Sequence, residues 1–368
     1  MELYIYDREL VLQGVADELY SFIWTRRYSS PGEFAISAPF TETNKKLFKK
    51  GNIIKRKGDL EAGEIKYLMI KKNSEGAEEI EIQGKFLSSW LDKRIILEQK
   101  IYNATVAEII NSIMKDNFIM PKDDNRKIPL LSLSNESIVI EPINYTPEKN
   151  KNCKEVIEEL SKNSGLGFMI KTTDKHVFHV YQGRDLTAGQ KVNRPCIFSN
   201  YSDSVGEQSF ENSLENYKST CYISGEEKEG VDRVTLVVNP ETGLDRVEVY
   251  EDGSSIKQTY KEGEVEKTLT DAEYRRLLNN RAEEVLSGYY ETLNFDSKVT
   301  LNDSLVYKKD FDVGDIVTCK NDQWGIRVDT RITEVKEIYQ NGEDGIEITF
   351  GEGLPTLLEK IEQKIRRR

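Results

Sequence analysis

Short segments in which apolar and polar residues alternate recur near both ends of this 368-residue chain. Residues 79–82 read Glu-Ile-Glu-Ile, and residues 64–70 form a matching arm across a glycine-containing turn. Alternation with a period of two puts one face of a strand in a core and the other in water. Together with strand-like segments at 18–28 and 33–36, this pattern predicts a small antiparallel β-barrel over residues 1–98.

A second block of the same kind lies further along the chain. Residues 313–318 enter a strand through a glycine turn, and residues 330–335 and 346–351 flank a turn with two glycines. We therefore expect a second β-barrel-like domain over residues 289–352. The predicted fold class is α+β, mainly β, with two small antiparallel β-barrel-like domains, an α+β insert and a C-terminal helix.

The segment after the first block predicts helices as well as strands. Thr105 and Glu108 have the spacing of a capping box at the start of one helix. A second helix runs from about residue 152 to a glycine at residue 165, and a hairpin follows over residues 167–181. We interpret residues 99–192 as an α+β insert domain.

Strands then resume. Residues 193–288 are predicted to hold several strands, an acidic hairpin region, and a connecting helix that begins at Thr270 and stops at Gly288. We expect part of residues 195–225 to complete the first barrel.

Residues 353–368 are predicted to form an amphipathic helix. Three arginines end it, which suits the negative end of the helix dipole. A helix this short is marginal unless its apolar side is packed, so we expect it to dock, either on the protein's own barrel or on another subunit. The candidate interaction residues are its apolar stripe, Leu357, Leu358, Ile361 and Ile365.

Charge and composition exclude several classes of function. The chain has 52 Lys and Arg against 64 Asp and Glu, a net charge of −12, which opposes sequence-specific binding of nucleic acid. No run approaches the roughly 18–20 apolar residues that span a bilayer, so we expect no stable membrane insertion. The first residues lack the basic start and apolar stretch of a signal peptide, and the four cysteines are scattered. We therefore expect folding in a reducing cytoplasm.

Motifs for catalysis are sparse. His176 and His179 are the two histidines, and residues three apart on a strand face opposite sides, so they cannot share a metal. Residues 310–315 superficially resemble a calcium loop but lack its ligand spacing, and a hairpin entry with solvated carboxylates is the preferred interpretation. We expect no catalytic residues, no cofactor and no metal, although the 64 acidic residues always offer carboxylate pairs of the kind that hydrolyse glycosides.

The order of several short motifs resembles a tail-protein family of phages and prophages of Gram-positive bacteria. The motifs, in chain order, are Trp24-Thr25-Arg26-Arg27-Tyr28 with Gly32-Glu33-Phe34, Leu87 to Arg94, Gly183-Arg184-Asp185-Leu186-Thr187, Phe198-Ser199, Tyr217-Lys218, Asp310-Phe311-x-Val313-Gly314-Asp315, Arg331-Ile332-Thr333-Glu334-Val335 and Phe350-Gly351. These relatives resemble baseplate hub proteins. The resemblance implies two similar barrels per subunit, so that a homotrimer presents six alike modules to a sixfold tail tube.

The leading hypothesis is therefore a non-enzymatic virion component, a homotrimeric hub that closes the distal end of a phage tail tube or a phage-tail-like tube. Its expected partners are sibling copies, the tail tube and distal tail ring proteins, and a central spike, fibre or lysin. The expected location is the virion tail or baseplate, after assembly in the bacterial host cytoplasm. Two alternatives stay open: a tail-associated peptidoglycan hydrolase and a receptor-binding or glycan-binding tail module.

Overall fold

The computed structural model describes residues 2–72, 76–136, 138, 141–199, 205–228, 230–262, 265–289, 291–299, 305–340 and 343–351. The predicted C-terminal helix, with Leu357, Leu358, Ile361 and Ile365, lies outside the described residues. The fold is α+β and mainly β, as the sequence predicts.

The N-terminal part of the chain consists of strands and two short helices. Its elements are β1 (Leu3–Tyr6), β2 (Leu12–Ala16), β3 (Ser21–Arg27), β4 (Glu33–Pro39), α1 (Glu42–Leu47), β5 (Ile53–Arg56), β6 (Gly63–Lys72), β7 (Glu78–Phe86) and a 3₁₀ helix, Leu87–Lys93. Strands β6 and β7 form the hairpin predicted from the alternating pattern. Ile80 and Ile82 of β7 are buried, because the period of two directs both to the core face.

The predicted helices and hairpin of the next segment are confirmed. Thr105 and Glu108 form both hydrogen bonds of the capping box, and Gly165 ends the second helix in the left-handed conformation, with φ 67°. The elements are β8 (Tyr102–Ala104), α2 (Val106–Met114), a π-helical turn (Lys115–Ile119), a 3₁₀ turn (Asp124–Arg126), β9 (Leu131–Leu133), β10 (Ile143–Tyr145), α3 (Cys153–Ser164), β11 (Gly167–Thr172) and β12 (His176–Tyr181).

The next segment contains two strands of the large sheet, described below, and a small sheet that is covered by a long helix. The elements here are β13 (Ile197–Ser199), β14 (Val205–Ser213), β15 (Thr220–Ser224), β16 (Thr235–Val238), a 3₁₀ turn (Gly243–Asp245), β17 (Glu248–Asp252), a second 3₁₀ turn (Gly253–Ser255), β18 (Thr259–Glu262), β19 (Val265–Thr268) and α4 (Asp271–Ser287). Strand β15 lies between β16, which is antiparallel to it, and β17, which is parallel. Leu278 and Ala282 of α4 pack with Cys221 and Ile223 of β15.

The last described strands are β20 (Thr292–Val299), β21 (Ile316–Asn321), β22 (Ile326–Gln340) and β23 (Glu343–Phe350). Strand β22 is long enough to have two sets of partners. Its first part pairs with β21, and its second part lies between β23 and β3. Strand β3 belongs to the first block (residues 1–98) and β22 to the last block (residues 289–352), so the two blocks share one sheet of 13 strands. Its order is β14-β20-β23-β22-β3-β4-β7-β6-β5-β1-β2, and off this path β21 pairs with β22 and β13 pairs with β21.

The partners of residues 195–225 differ from the expectation that this segment completes the first barrel. Strand β13 runs parallel to β21, and β14 pairs with β20, so both join the last block. The physical reason is aromatic packing, since Phe198 lies 5.2 Å from Phe311 and 4.9 Å from Phe350 between ring centroids. The division into two barrel-like domains stays a prediction.

Among the residues that the structure describes, four groups of buried side chains form the cores. One lies within the first block, where the Trp24 ring packs against Phe22, Phe34 and Phe86. A second lies under α2 and α3, a third joins Tyr28 to the last block, and a fourth lies between α4 and β15. Tyr28 directly follows β3, so the end of this strand stands where the first and third cores meet.

Candidate functional site

The two histidines lie where the sequence predicts, on strand β12, and both are buried. The ring of His176 meets Trp90 edge-on at 5.0 Å between centroids, whereas that of His179 stacks on Tyr181 at 5.7 Å. Burial lowers the pKa of His176 to about 4, and burial followed by Lys171 lowers the pKa of His179. Both rings are therefore neutral at pH 7 and act as core side chains.

The described part of the chain holds no group of three His, Cys, Asp or Glu residues arranged to bind a metal. The four cysteines are buried and free. Burial raises the pKa of Cys153 and of Cys196 to about 12, so these thiols stay protonated and are poor nucleophiles at neutral pH. Of the helices described, none has the length and apolarity that crossing a membrane demands.

The residues that stand out lie around the end of β3, at a site that we call the central junction, and most of them are charged. Its members come from the first block, the segment after β12 and the last block: Arg26, Arg27, Tyr28, Glu61, Arg184, Tyr307, Asp312, Gly314, Asp315 and Arg331. The motifs that carried the family resemblance supply seven of them, namely all except Glu61, Tyr307 and Asp312. Motifs separated by up to about 300 positions in sequence thus meet in space.

Arg26 is a buried cation of the central junction, with 8% of its side chain exposed. Its Nε lies 2.8 Å from Oε2 of Glu61, whose side chain is 7% exposed. Its Nη1 lies 2.6 Å from Oδ1 of Asp312 and donates to the Tyr307 hydroxyl at 2.9 Å. One guanidinium therefore joins the first block to the last, through three oxygen atoms that each lie at hydrogen-bonding distance.

Burial opposes the charge on both members of the Arg26–Glu61 pair. Burial raises the pKa of the Glu61 carboxyl, and the Arg26 guanidinium opposes this rise. For Arg26 itself, burial lowers the pKa, but Tyr307, Glu61 and Asp312 outweigh it, so the pKa lies above the ordinary value. Arg26 is therefore a permanent cation, and its removal would leave the Glu61 carboxylate buried without a counter-charge.

Tyr28 connects the central junction to the insert. Its hydroxyl donates to the carbonyl oxygen of Gly165 at 2.9 Å and accepts from the backbone N–H of Gly183 at 3.1 Å. The guanidinium of Arg331 lies over its ring, 4.9 Å from the centroid. Gly314 passes against the same ring with φ +96°, and a Cβ there would come within 2.3 Å of it. Only glycine fits both this conformation and this space.

Asp312 and Asp315, in the segment that superficially resembles a calcium loop, bind other groups of the protein. Asp315, whose side chain is 4% exposed, accepts from Nη2 of Arg184 at 2.7 Å. It also accepts from the backbone N–H groups of Arg184 and Asp312, both at 2.8 Å. The preferred interpretation as solvated carboxylates is therefore wrong for Asp315, since the chain segment after β12 packs over it. The sequence gives little indication that Asp315 is buried and paired, because Arg184 lies 131 positions away.

Further ion pairs follow the seam where β3 and β22 lie side by side. Arg27 Nε lies 2.6 Å from Glu334 of β22, and Arg56 makes a bidentate pair with Glu337 of β22 at 2.7 and 2.8 Å. Lys308 binds Asp59 and also lies 3.4 Å from Glu337. The seam is thus held by backbone pairing and by charge pairs between the two blocks. This arrangement can therefore hold the first and last blocks together.

A small surface cleft lies beside Arg27, with a volume of about 270 Å³. Asp92 and Glu158 both line it, together with Lys154, whose Nζ is 3.9 Å from Asp92. Burial raises the pKa of Glu158, although Lys154 and Lys162 oppose this. A pair of carboxylates in one cleft is the minimum that glycoside hydrolysis requires.

The fold of the chain is similar to the folds of several prophage tail proteins. It resembles the 43 kDa tail protein of prophage MuSo2 from Shewanella oneidensis, with 14% identity and TM-score 0.60, over 96% of this chain and 99% of that one. It also resembles the tail protein from Neisseria meningitidis MC58, with 12% identity and TM-score 0.57, over 96% and 97% of the two chains. Prophage tail protein gp18 from Listeria monocytogenes EGD-e matches with 12% identity and TM-score 0.56, over 100% and 99%.

The sequence gives the more specific assignment. The sequence model of the family described as Siphovirus ReqiPepy6 Gp37-like protein matches residues 2–352, so the chain belongs to this family. A search of curated proteins finds no match. The resemblance to phage and prophage tail proteins, which the ordered motifs indicated, is confirmed.

Proposed function

We propose that this protein is a structural component of a phage tail or a phage-tail-like particle, without enzymatic activity. In this proposal it is a homotrimeric hub that closes the distal end of the tail tube. It connects the tube to a central spike, fibre or lysin. The observation that carries the proposal is the match to phage and prophage tail proteins, in family over residues 2–352 and in fold over 96–100% of the chain.

The central junction supports this role physically. A hub transmits force between a tube and a spike, so its modules must keep their relative positions. In this chain the first and last blocks share a sheet, and the buried Arg26 joins them through Glu61 and Asp312. Ion pairs along the β3–β22 seam add to this connection. A shared sheet with buried ion pairs is suited to a protein that must stay rigid under load.

Sheet edges supply a candidate mode of assembly. Within the described strands, β2 and β14 end the path of the 13-stranded sheet, and each has one pairing partner. Two different edges are what a heterologous, ring-forming interface requires. We place the predicted C-terminal helix, with Leu357, Leu358, Ile361 and Ile365, at the same subunit boundary. A permanent ring of this kind would bury several thousand Å².

Native mass spectrometry of the full-length chain tests the oligomeric state. The proposal predicts a species with three times the mass of one chain, stable on dilution. Imaging of particles that carry a labelled copy tests the location, with the label expected at the distal end of the tail. A stable monomer together with a label elsewhere on the particle would refute the hub role.

The cleft near Arg27 favours a second candidate, a tail-associated peptidoglycan hydrolase that uses Asp92 and Glu158. A zymogram of cell-wall material with the wild-type protein and the Glu158→Gln variant separates the two functions. Clearing that is lost in the variant would establish the enzyme, and the absence of clearing from both supports the hub.

An exposed row of side chains favours a third candidate, a glycan-binding tail module. On the sheet face opposite α4, Tyr222 is in register with Val237 on one side and Tyr250 on the other, and Tyr250 is 58% exposed. Aromatic rings in such a row can stack against sugar rings. Glycan-array binding that the Tyr250→Ala variant loses would establish this function.

A further inference from the structure

The contact between α4 and the insert is made by charged groups. Arg281 of α4 lies at the centre, with Nη2 2.9 Å from Oε1 of Glu148 and Nη1 3.1 Å from Oε2 of Glu284. Its Nε donates to Glu251 of β17 at 2.9 Å, and the neighbouring Asn280 donates to the carbonyl oxygen of Asn144 at 3.4 Å. We call this contact the α4–insert interface.

Carboxylates outnumber cations at the α4–insert interface. The titratable and charged groups around Glu284 come from the β10–α3 connection, from α3, from β17 and from α4 itself: Tyr145, Glu148, Lys151, Glu159, Glu251 and Arg281. Lys151 is engaged with Glu159 at 2.7 Å. Four carboxylates therefore share two cations, which leaves an excess of two negative charges when all of them are ionised.

Glu284 is the carboxylate of this interface whose buried charge is least compensated by hydrogen bonds. Its side chain is 16% exposed. Its Oε2 accepts from Arg281, whereas its Oε1 is buried and has no hydrogen-bond partner among the residues that the structure describes. A proton on Glu284 would remove one excess charge from the interface. Burial raises the pKa of this carboxyl to about 7, with Arg281 and Lys151 opposing and Glu159 reinforcing the shift.

We propose that Glu284 is a pH-sensitive latch that holds α4 against the insert when it is protonated and loosens this contact when it ionises. The inference rests on the interface alone and does not depend on the hub function. A latch here would set how firmly the unit built from β15, β16, β17 and α4 is held to the rest of the chain. Small polar interfaces between parts of one chain commonly permit relative motion.

The direction of the pH effect follows from linkage. The pKa of Glu284 in the folded protein lies above the ordinary value of 4.5, so the folded state binds the proton more tightly than the unfolded state. The stabilising contribution of the neutral form is complete below about pH 4.5. It is lost as the pH rises toward about 7 and does not return at higher pH.

Hydrogen exchange of the full-length protein tests the latch. Amides of α4 and of residues 143–151 are followed from pH 5 to pH 8, and each rate is corrected for the intrinsic pH dependence of exchange. In the wild-type protein we expect the opening equilibrium to increase at least about tenfold over this range, which corresponds to one unit of pKa. In Glu284→Gln, a neutral isostere of the protonated side chain, we expect slow exchange with no such increase.

Glu283→Gln is the matched control, because Glu283 is the preceding residue of α4 and is exposed. It removes the same charge and should follow the wild-type pH dependence. An equal increase in Glu284→Gln and wild type would overturn the proposal. Carbon-13 NMR of the side-chain carboxyl provides an independent measurement, since a Glu284 titration midpoint below pH 5 would also overturn it.

Discussion

The central junction and the α4–insert interface use the same kinds of groups in different proportions. At the central junction Arg26 is enclosed between Glu61 and Asp312, and backbone pairing of β3 with β22 runs alongside. At the α4–insert interface four carboxylates share two cations, and one of the carboxylates, Glu284, has an oxygen that no described residue hydrogen-bonds. Charge balance thus distinguishes a contact that stays closed across neutral pH from one that a proton can strengthen.

The largest expected effect is the loss of Arg26, a buried cation of the central junction. Arg26→Met keeps much of the side-chain volume but leaves Glu61 buried without its partner. We expect the free energy of unfolding to fall by about 3–5 kcal/mol, measured by urea denaturation at pH 7.

Two further variants serve as controls for the Arg26→Met measurement. Arg194→Ala removes an arginine that is 82% exposed and 3.7 Å from Asp310, and it should change stability by less than about 1 kcal/mol. In the double variant Arg26→Met/Glu61→Gln the carboxylate is neutralised, so part of the loss should be recovered. A double variant that is less stable than Arg26→Met would contradict the explanation.

A smaller loss is expected from Gly314→Ala, which tests the packing at the central junction instead of its charge. Alanine at φ +96° is strained, and its Cβ would overlap the ring of Tyr28. The two costs together amount to about 2–4 kcal/mol of unfolding free energy. Gly325 has φ +67° with open space around its Cβ position, so Gly325→Ala isolates the backbone cost alone. Equal losses in the two variants would mean that the ring of Tyr28 moves aside freely.

Asp59 provides the pH response that contrasts with Glu284. Burial raises its pKa, but Arg56 and then Lys308 outweigh burial, so the pKa is lowered from 3.8. The group therefore stabilises the fold above about pH 4 and loses this contribution as the pH falls through its folded pKa. We expect Asp59→Asn to cost about 1–2 kcal/mol at pH 7, measured by thermal unfolding, and this difference to vanish in strong acid. A constant difference at every pH would show that Asp59 acts through packing.

Local features of the fold could be predicted from the sequence, because they depend on neighbouring residues. The capping box of Thr105 and Glu108, the stop at Gly165 and the β6–β7 hairpin are of this kind. The central junction could not be predicted, because Arg26 and Asp312 are 286 positions apart and either would be unremarkable on a surface. The ordered motifs were the one signal, since they include Arg26. Asp312 falls at the unspecified position of its motif, and the motifs do not reveal that the two residues meet.

The smallest effect is expected from Glu148, which is the most exposed of the three carboxylates around Arg281 at 43% of its side chain. Arg281 keeps Glu251 and Glu284 when Glu148 is replaced, and solvent screens the pair that is lost. We therefore expect Glu148→Gln to change the unfolding free energy by less than about 0.5 kcal/mol in 0.15 M salt. Its effect on the opening equilibrium of α4 should also be small, because it relieves negative charge in the same direction as protonation of Glu284 but from a hydrated position. If this variant abolished the pH dependence of hydrogen exchange as fully as Glu284→Gln, the response would belong to the total charge of the interface and not to the buried carboxyl.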